Sequence, residues 1–204
     1  MSLCAALCLM GFAARADWQG DLKIDTKPPP PHGDANQTGK ISGKGTKIRM
    51  DVDKPPMGHV AAIMDMKAKK AIMVMDERKA FMETDLDQTS ARGGAQAAAL
   101  CDTDDAVECL KKNDYKKAGT ETVNGVKADK WERDRDDARG KRHEALWVPQ
   151  GVKDFAFVRH LMTSEQRTVQ LDVENFKKVK LDDAQFKAPD GYQDMSAMMK
   201  QHMG

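Results

Sequence analysis

The chain has 204 residues, enough for one domain with a sizeable core. Charged residues make up 32% of it and aromatic residues only 5%, so aliphatic side chains and methionine must build most of that core. The formal net charge is +1, which gives no general reason to expect nucleic acid or an acidic membrane surface as a partner.

Residues 1–16 have the pattern of a cleaved export signal. A short apolar run from Leu3 to Ala14 leads into the triplet ARA, which has the small-x-small pattern of a signal-peptidase site, so we expect cleavage before Asp17. The run is shorter than the roughly 20 apolar residues that a membrane-spanning helix needs. No basic residue precedes it, which suggests a true start further upstream. A lipid anchor on Cys4 or Cys8 is the alternative, although the residue before Cys8 is large for that position.

Export would leave Cys101 and Cys109 as the cysteines of the mature chain. Two cysteines in an exported protein usually form a disulfide bond, and two unpaired thiols are the alternative. Eight residues of continuous helix span about 12 Å, which is too far for a disulfide. The bond therefore requires a turn between the two cysteines, which we expect at Asp102–Asp105.

Alternating apolar and polar residues predict the strands of the first half. Trp18 to Thr26 and Lys44 to Val52 both alternate cleanly. Between them, the proline-rich segment 27–40 predicts an exposed loop, because consecutive prolines cannot donate ladder hydrogen bonds; a proline-rich ligand for a partner domain is the alternative. Three short apolar runs in Val60 to Asp85 predict a tight antiparallel meander. These runs are apolar on both faces, which indicates a sheet covered on one face and packed, or lining a cavity, on the other.

Composition changes in residues 88–118, whose alanine and charge predict a helical segment that crosses or plugs the sheet. Strands resume in GTETVNGVKADKWER, with a hairpin turn at Asn124-Gly125, and continue in HEALWV and TVQLDV. Residues 153–162 fit strand and helix periods almost equally, and we favour strand. DDAQF predicts a short helical turn. The expected organisation is a signal peptide at 1–16, a single β domain at 17–194 and a flexible methionine-rich tail at 195–204.

No catalytic motif stands out in this sequence. The 5 histidines are scattered, and there is no HExxH, paired CxxC, glycine-rich phosphate loop or GxSxG. The acidic runs have the pattern of solvated turns. We therefore expect a protein that is not an enzyme and carries no cofactor.

Methionine is the residue type in excess, with 14 in the chain. Packing in a core poor in aromatic residues is the simplest explanation, because the thioether side chain fills irregular spaces. The functional alternative is an adaptable apolar cavity for acyl chains. Its candidate lining residues are Met64, Met66, Met73, Met75, Met82 and Phe81. A further alternative is Cu(I) binding in the tail by Met198, Met199, His202 and Met203.

Four stretches together carry a resemblance to a known family: GKGTKIRMDV, IMDMKAKKAIMVMDERKAFME, GTETVNGVKADKWE and DDAQFKAPDGYQDM. In this order they resemble an exported bacterial domain-of-unknown-function family related to the LolA, LolB, LppX and RseB superfamily of outer-membrane lipoprotein carriers. The matching positions are Gly119, Glu121, Val123, Gly125, Lys127, Trp131, Phe186, Pro189, Gly191 and Tyr192.

The resemblance implies an α+β, mostly β fold, in which a strongly curved antiparallel sheet, an unclosed barrel, wraps a helical segment over an apolar cavity. It implies a periplasmic or outer-envelope protein that binds lipid or lipoprotein acyl chains without catalysis. A structural or protein-interaction module of the envelope is the competing function. We further expect no nucleic-acid partner, no transmembrane segment in the mature chain, and a monomer.

Overall fold

The computed structural model describes residues 17–31, 34–55, 57–86, 105–137, 140–152 and 154–197. Within these ranges the chain forms a 12-stranded sheet and a short helix that packs on it. The expected signal peptide, Cys101 and the candidate copper ligands Met198, Met199, His202 and Met203 lie outside the described residues.

Strands account for most of the described chain. They are β1 Trp18–Lys27, β2 Asn36–Lys44, β3 Lys47–Lys54, β4 Gly58–Asp65, β5 Lys70–Met75, β6 Ala80–Asp85, β7 Lys116–Val123, β8 Val126–Asp137, β9 Gly140–Pro149, β10 Arg159–Ser164, β11 Thr168–Lys178 and β12 Gln193–Asp194. The helix α1 spans Ala106–Lys112, and 3-10 turns span Asp76–Arg78 and Asp183–Phe186.

The sheet consists of two antiparallel meanders joined along β1 and β11. The strand order is β12-β6-β5-β4-β3-β2-β1-β11-β10-β9-β8-β7, and β12 pairs with β6 in the parallel sense. The β1–β11 register runs from Trp18 opposite Lys178 to Lys27 opposite Thr168. The result is the predicted fold class, a curved and unclosed sheet that is mostly β.

The inner face of the sheet carries the main core. Residues that are direct cross-strand partners share a face, so the register assigns Trp18, Leu22, Ile41 and Ile48 to the same side. All four are buried in one cluster with Leu110 of α1. The helix therefore packs against the inner face, as the sequence predicts.

The outer face of β4 and β5 is also covered. Ala61, Ile63 and Val74 form a second cluster with Leu181 and Phe186 from the segment that follows β11. This explains why the meander is apolar on both sides. One side packs in part against the main core, and the other is covered by the C-terminal segment.

The predicted loop at 27–40 is too long. Strand β1 continues to Lys27, and strand β2 begins at Asn36. Glycines conceal this strand in the sequence. A Cβ at Gly43 would overlap the Trp18 ring, and one at Gly39 would overlap the backbone of Asp51. The positions that would show apolar alternation must therefore stay small.

Three other boundaries differ from the prediction. The helical segment 88–118 contains α1, but its last residues from Lys116 onward belong to β7, and 88–104 lies outside the described residues. In 153–162, a strand begins only at Arg159, after a buried irregular stretch. The tail starts later than predicted, since Met195 N donates to Phe81 O at 2.9 Å.

Other predicted elements are confirmed. The strands at the start of the chain, in the Val60–Asp85 meander and on both sides of the Asn124-Gly125 turn are present, and both turn residues have positive φ. The helical turn in DDAQF is present as well. In the part of the chain that is described, no helix is long and apolar enough to cross a membrane.

We expect Gly43→Ala to lower the free energy of unfolding by about 1–3 kcal/mol, because the added methyl group would displace the Trp18 ring from the core. Gly119→Ala is the matched control, since a Cβ there meets no atom within 4 Å. Urea denaturation measures both variants. Equal losses from the two substitutions would contradict the packing of β2 against Trp18.

Candidate functional site

A row of apolar residues crosses the inner face from the core toward the end of the sheet. Ile41, Met50, Ala62, Met73 and Met82 are successive cross-strand partners on β2 to β6. Ile41 is 1% exposed, whereas Met73 is 42% exposed. The row therefore leaves the core and ends in side chains that the rest of the described chain does not cover.

The row is part of a larger set of partly buried apolar residues on the inner face, several of which pack against the edge of the main core. We call this set the inner apolar strip and define it by ten inner-face residues of β1, β3 to β6, β10 and β11. Its members are Ile24, Met50, Val52, Ala62, Met64, Met73, Met82, Met162, Val169 and Leu171. The strip crosses strands from both meanders, so the β1–β11 pairing makes it continuous.

The predicted lining residues separate into three groups. Met64, Met73 and Met82 belong to the inner apolar strip. Met66 and Met75 are 2% and 5% exposed and are therefore packed in the interior. Phe81 is the cross-strand partner of Val74 and packs with the outer-face cluster, so it is on the opposite side of the sheet.

Sequence reasoning missed the members of the strip outside the meander. Ile24, Val169 and Leu171 are alternate residues of strands that the sequence predicted, so their common face could be inferred. Their position beside Met50 and Val52 could not be inferred, because it depends on how β1 pairs with β11 on one side and with β2 on the other.

The other part of the inner face is closed by α1. Ala106, Cys109 and Leu110 are its buried residues, and they pack in the main cluster with Trp131 and Leu146. The helix begins at an Asp105 side chain that accepts a hydrogen bond from Glu108 N. The inner face is thus a filled core on one side, while on the other its apolar residues are only partly covered by the described chain.

A buried ion pair fixes the end of α1 to the sheet. Arg133 NH2 donates to Glu144 Oε2 at 2.6 Å, and Tyr115 OH donates to the same oxygen at 2.7 Å. Arg133 NH1 also donates to the carbonyl of Asn113, the residue that caps α1. Because these groups are buried, removal of one partner would leave an uncompensated charge in the interior.

The electrostatics of this network follow from burial and from the ion pair. Burial alone would raise the pKa of Glu144, but the Arg133 charge and the hydrogen bonds outweigh it, so the pKa is lowered. Burial raises the pKa of Tyr115. Burial also lowers the pKa of His160 to about 4, which keeps this imidazole neutral at neutral pH.

The described residues offer few candidates for a metal site or a disulfide bond. Among the described residues, no group of three or more His, Cys, Asp or Glu side chains could hold a metal ion. Cys109 is buried in the main core, and its predicted partner Cys101 lies outside the described residues. The disulfide therefore stays a prediction.

Comparison with known families identifies the chain at the level of family. The model of the domain of unknown function DUF4412 matches residues 18–175, and the protein belongs to this family. No curated protein sequence matches it.

Three of the solved structures that the chain is similar to illustrate the range of the matches. LppX, a lipoprotein of Mycobacterium tuberculosis, is 11% identical over 80% of this chain and 89% of its own, with a TM-score of 0.42. A LolA superfamily protein of Nitrosomonas europaea is 14% identical over 85% and 90%, with a TM-score of 0.44. MucB, in the MucA/MucB complex of Pseudomonas aeruginosa, is 12% identical over 89% and 59%, with a TM-score of 0.47. The family match confirms the predicted membership of a domain-of-unknown-function family.

We expect the buried His160 to contribute to stability at neutral pH and to lose this contribution in acid. Its folded pKa of about 4 lies below its ordinary value of 6.5, so the unfolded chain binds the proton first as the pH falls. The contribution is complete above about pH 6.5 and is lost toward pH 4, a change of about 3 kcal/mol. We expect His160→Leu to remove this part of the pH dependence in urea denaturation series.

Parallel losses of stability in His160→Leu and in the wild-type protein between pH 7 and pH 4 would contradict the prediction that the buried, neutral imidazole causes this pH dependence.

Proposed function

We propose that the protein binds an apolar ligand, such as a lipid or a lipoprotein acyl chain, on the inner apolar strip. The observation that carries this proposal is the row that ends at Met73 and Met82, of which Met73 is 42% exposed and Met82 is half-buried. Large contiguous apolar patches are unusual on the surface of a globular protein and mark binding sites. A ligand that covered it would gain about 25 cal/mol for each Å² of apolar surface removed from water.

The chemistry of the strip supports an acyl chain over a rigid ligand. Half of its members are methionines, whose unbranched thioether side chains adapt to different shapes. The row from Met50 to Met82 crosses three strand spacings, or about 14 Å. An extended hydrocarbon chain lying across the strands would contact one side chain of the row on each strand.

The same chemistry favours binding over catalysis. The members of the inner apolar strip are hydrocarbon and thioether side chains, which supply neither a general base nor a charged nucleophile. The ionisable groups nearest to it in register, Glu144 and His160, are buried. We therefore propose a carrier or a sensor of apolar ligands and not an enzyme.

The proposal includes export of the chain to the envelope as a monomer. It is supported by the signal-peptide pattern of residues 1–16 and by the uncovered apolar surface, which suits a protein that works beside membranes. A disulfide between Cys101 and Cys109 belongs to the same proposal.

The second candidate is a protein-interaction module of the envelope. It is favoured by β7, an end strand whose residues are exposed except for Val123. Such an edge can pair with an extended segment of a partner. A photo-crosslinker at Thr122 would then capture a protein in cells, whereas one at Met73 would capture lipid if the first candidate is right.

Native mass spectrometry tests the proposed function. The protein should be purified from a lysate that contains membranes and sprayed under conditions that preserve weak complexes. The proposal predicts added mass from a bound lipid, which organic extraction removes and identifies. A clean ligand-free mass, together with no binding of a fluorescent fatty acid, would refute the proposal.

Met73→Gln should weaken binding of a fluorescent fatty acid by about three- to tenfold, because the substitution places an amide in the apolar contact. Val107→Gln is the matched control, since Val107 is similarly exposed at 38% but lies on α1, outside the strip. Fluorescence titration measures both. An equal effect of the two substitutions would show that the probe does not bind at the strip.

The disulfide can be tested by counting thiols. We expect no free thiol in the denatured mature protein before reduction. Cys101→Ser should release one thiol, from Cys109, that reacts only after unfolding because Cys109 is buried. Two reactive thiols in the unreduced wild-type protein would exclude the bond.

A further inference from the structure

The outer face of the sheet holds a groove that is separate from the inner apolar strip. It has a volume of about 710 Å³, within the range of small-molecule sites. Its floor is formed by β1, β2 and β3, and its walls by the end of β11 and by Gln185 of the C-terminal segment. The lining is mostly polar, which distinguishes it from the inner face.

A β-bulge shapes one wall of the groove. The β1–β11 register shifts between Gln19 and Asp21, and Asn175 adopts a positive φ of 51° opposite the shift. Gly20 is required there, because a Cβ would overlap Val173 and the Glu174 carbonyl. Bulges commonly occur beside functional sites, where they redirect side chains. Here the bulge brings Asn175 to the edge of the groove.

The acidic groups of the groove are already occupied. Asp21 accepts hydrogen bonds from Lys40 and, at 2.6 Å, from Asn175 Nδ2. Asp51 accepts from Arg49, whose NH2 lies 2.7 Å from Oδ1 and whose Nε lies 2.9 Å from Oδ2. Each carboxylate is thus paired with a basic side chain, so its charge is already balanced within the groove.

A row of side chains that can donate hydrogen bonds crosses the floor of the groove. Lys177, Gln19, Ser42 and Arg49 are successive cross-strand partners and form one row across the floor. The side chains of Lys177, Gln19 and Ser42 make no hydrogen bond to other described residues. The row places a cation at each end, about 14 Å apart, with neutral polar groups between them.

We propose that this groove binds the phosphate ester of a small polyol, either a soluble glycerol or sugar phosphate or the headgroup of a phosphoglycerolipid. Three basic side chains against two occupied carboxylates leave the groove with one net positive charge. A phosphate presents several acceptor oxygens, which match the donors of Lys177 and Ser42 and the N–H groups of Arg49 that its bonds to Asp51 and to the Gln185 carbonyl leave over. The volume exceeds that of a phosphate group, and the amides of Gln19, Asn175 and Gln185 suit the hydroxyls of the attached polyol.

An NMR titration with sn-glycerol 3-phosphate, monitored by the chemical shifts of the backbone amides, tests whether the groove binds a soluble phosphate ester. We expect saturable shifts at Gln19, Ser42 and Gln185. Lys177→Gln should weaken the affinity about tenfold, because it removes a charge-assisted hydrogen bond. Gln185→Glu, which has nearly the same shape, should weaken it at least as much by placing a carboxylate in the wall. Lys116→Gln is the control, since it removes another exposed lysine, on β7 and outside the groove.

Cosedimentation with phosphatidylglycerol vesicles tests the lipid source. Vesicle binding that Lys177→Gln weakens and Lys116→Gln does not would support the lipid headgroup, with or without binding of the soluble ester. Vesicle binding that falls with Met73→Gln and not with Lys177→Gln would assign it to the inner apolar strip and overturn the proposal. Equal loss with both lysine variants, or no binding in either experiment, would also overturn it. The groove can fail these tests while the apolar-ligand function stands.

Discussion

Pairing between β1 and β11 joins the first strand of the domain to its last long strand and makes one sheet of two meanders. Trp18, near the start of this ladder, donates from Nε1 to the Phe155 carbonyl at 3.1 Å. Its ring stacks on Phe176, with 5.5 Å between centroids, and lies against Gly43. Three distant parts of the chain therefore meet at one side chain. Without the pairing of β1 with β11, the two meanders would have no common inner face.

The common inner face and its opposite side then have different chemistry. Inside, α1 is held to the sheet by Arg133, Glu144 and Tyr115 and fills one part of the concavity, while the described chain covers the inner apolar strip only in part. Outside, the segment after β11 covers β4 and β5 with Leu181 and Phe186. That segment is held at its end by β12 and by the Tyr192 hydroxyl, which donates to Asp76 at 3.0 Å. The same strands thus offer an apolar surface on one face and a polar groove on the other.

The sequence predicts the local elements better than it predicts the site. Strict alternation marks β1, and the turn residues Asn124 and Gly125 mark the β7–β8 hairpin, because these signals act between near neighbours. Strand β2 is concealed, since close packing against Trp18 requires glycine where an apolar residue would have shown the pattern. The two-residue strand β12 is too short to leave a periodic signal.

The candidate site depends on register, which the sequence does not encode locally. Met73 and Met82 are in the predicted meander, but their exposure depends on which strands α1 covers. Phe81 is adjacent to Met82 in the sequence but lies on the other side of the sheet, because adjacent residues of a strand point to opposite faces. Arg133 and Glu144 look like solvated charges in the sequence. They are buried because the β8–β9 register places them opposite each other on the inner face.

Methyl NMR of the methionines would test the central claim most directly, because these side chains occur in both the strip and the core. The protein would be labelled with ¹³C at the methionine methyl groups, delipidated and titrated with a long-chain fatty acid. The account predicts saturable shifts for Met50, Met73, Met82 and Met162, with much smaller changes for the buried Met66 and Met75. Unchanged spectra, or shifts as large for the buried methionines as for those of the strip, would contradict an apolar ligand on the inner face.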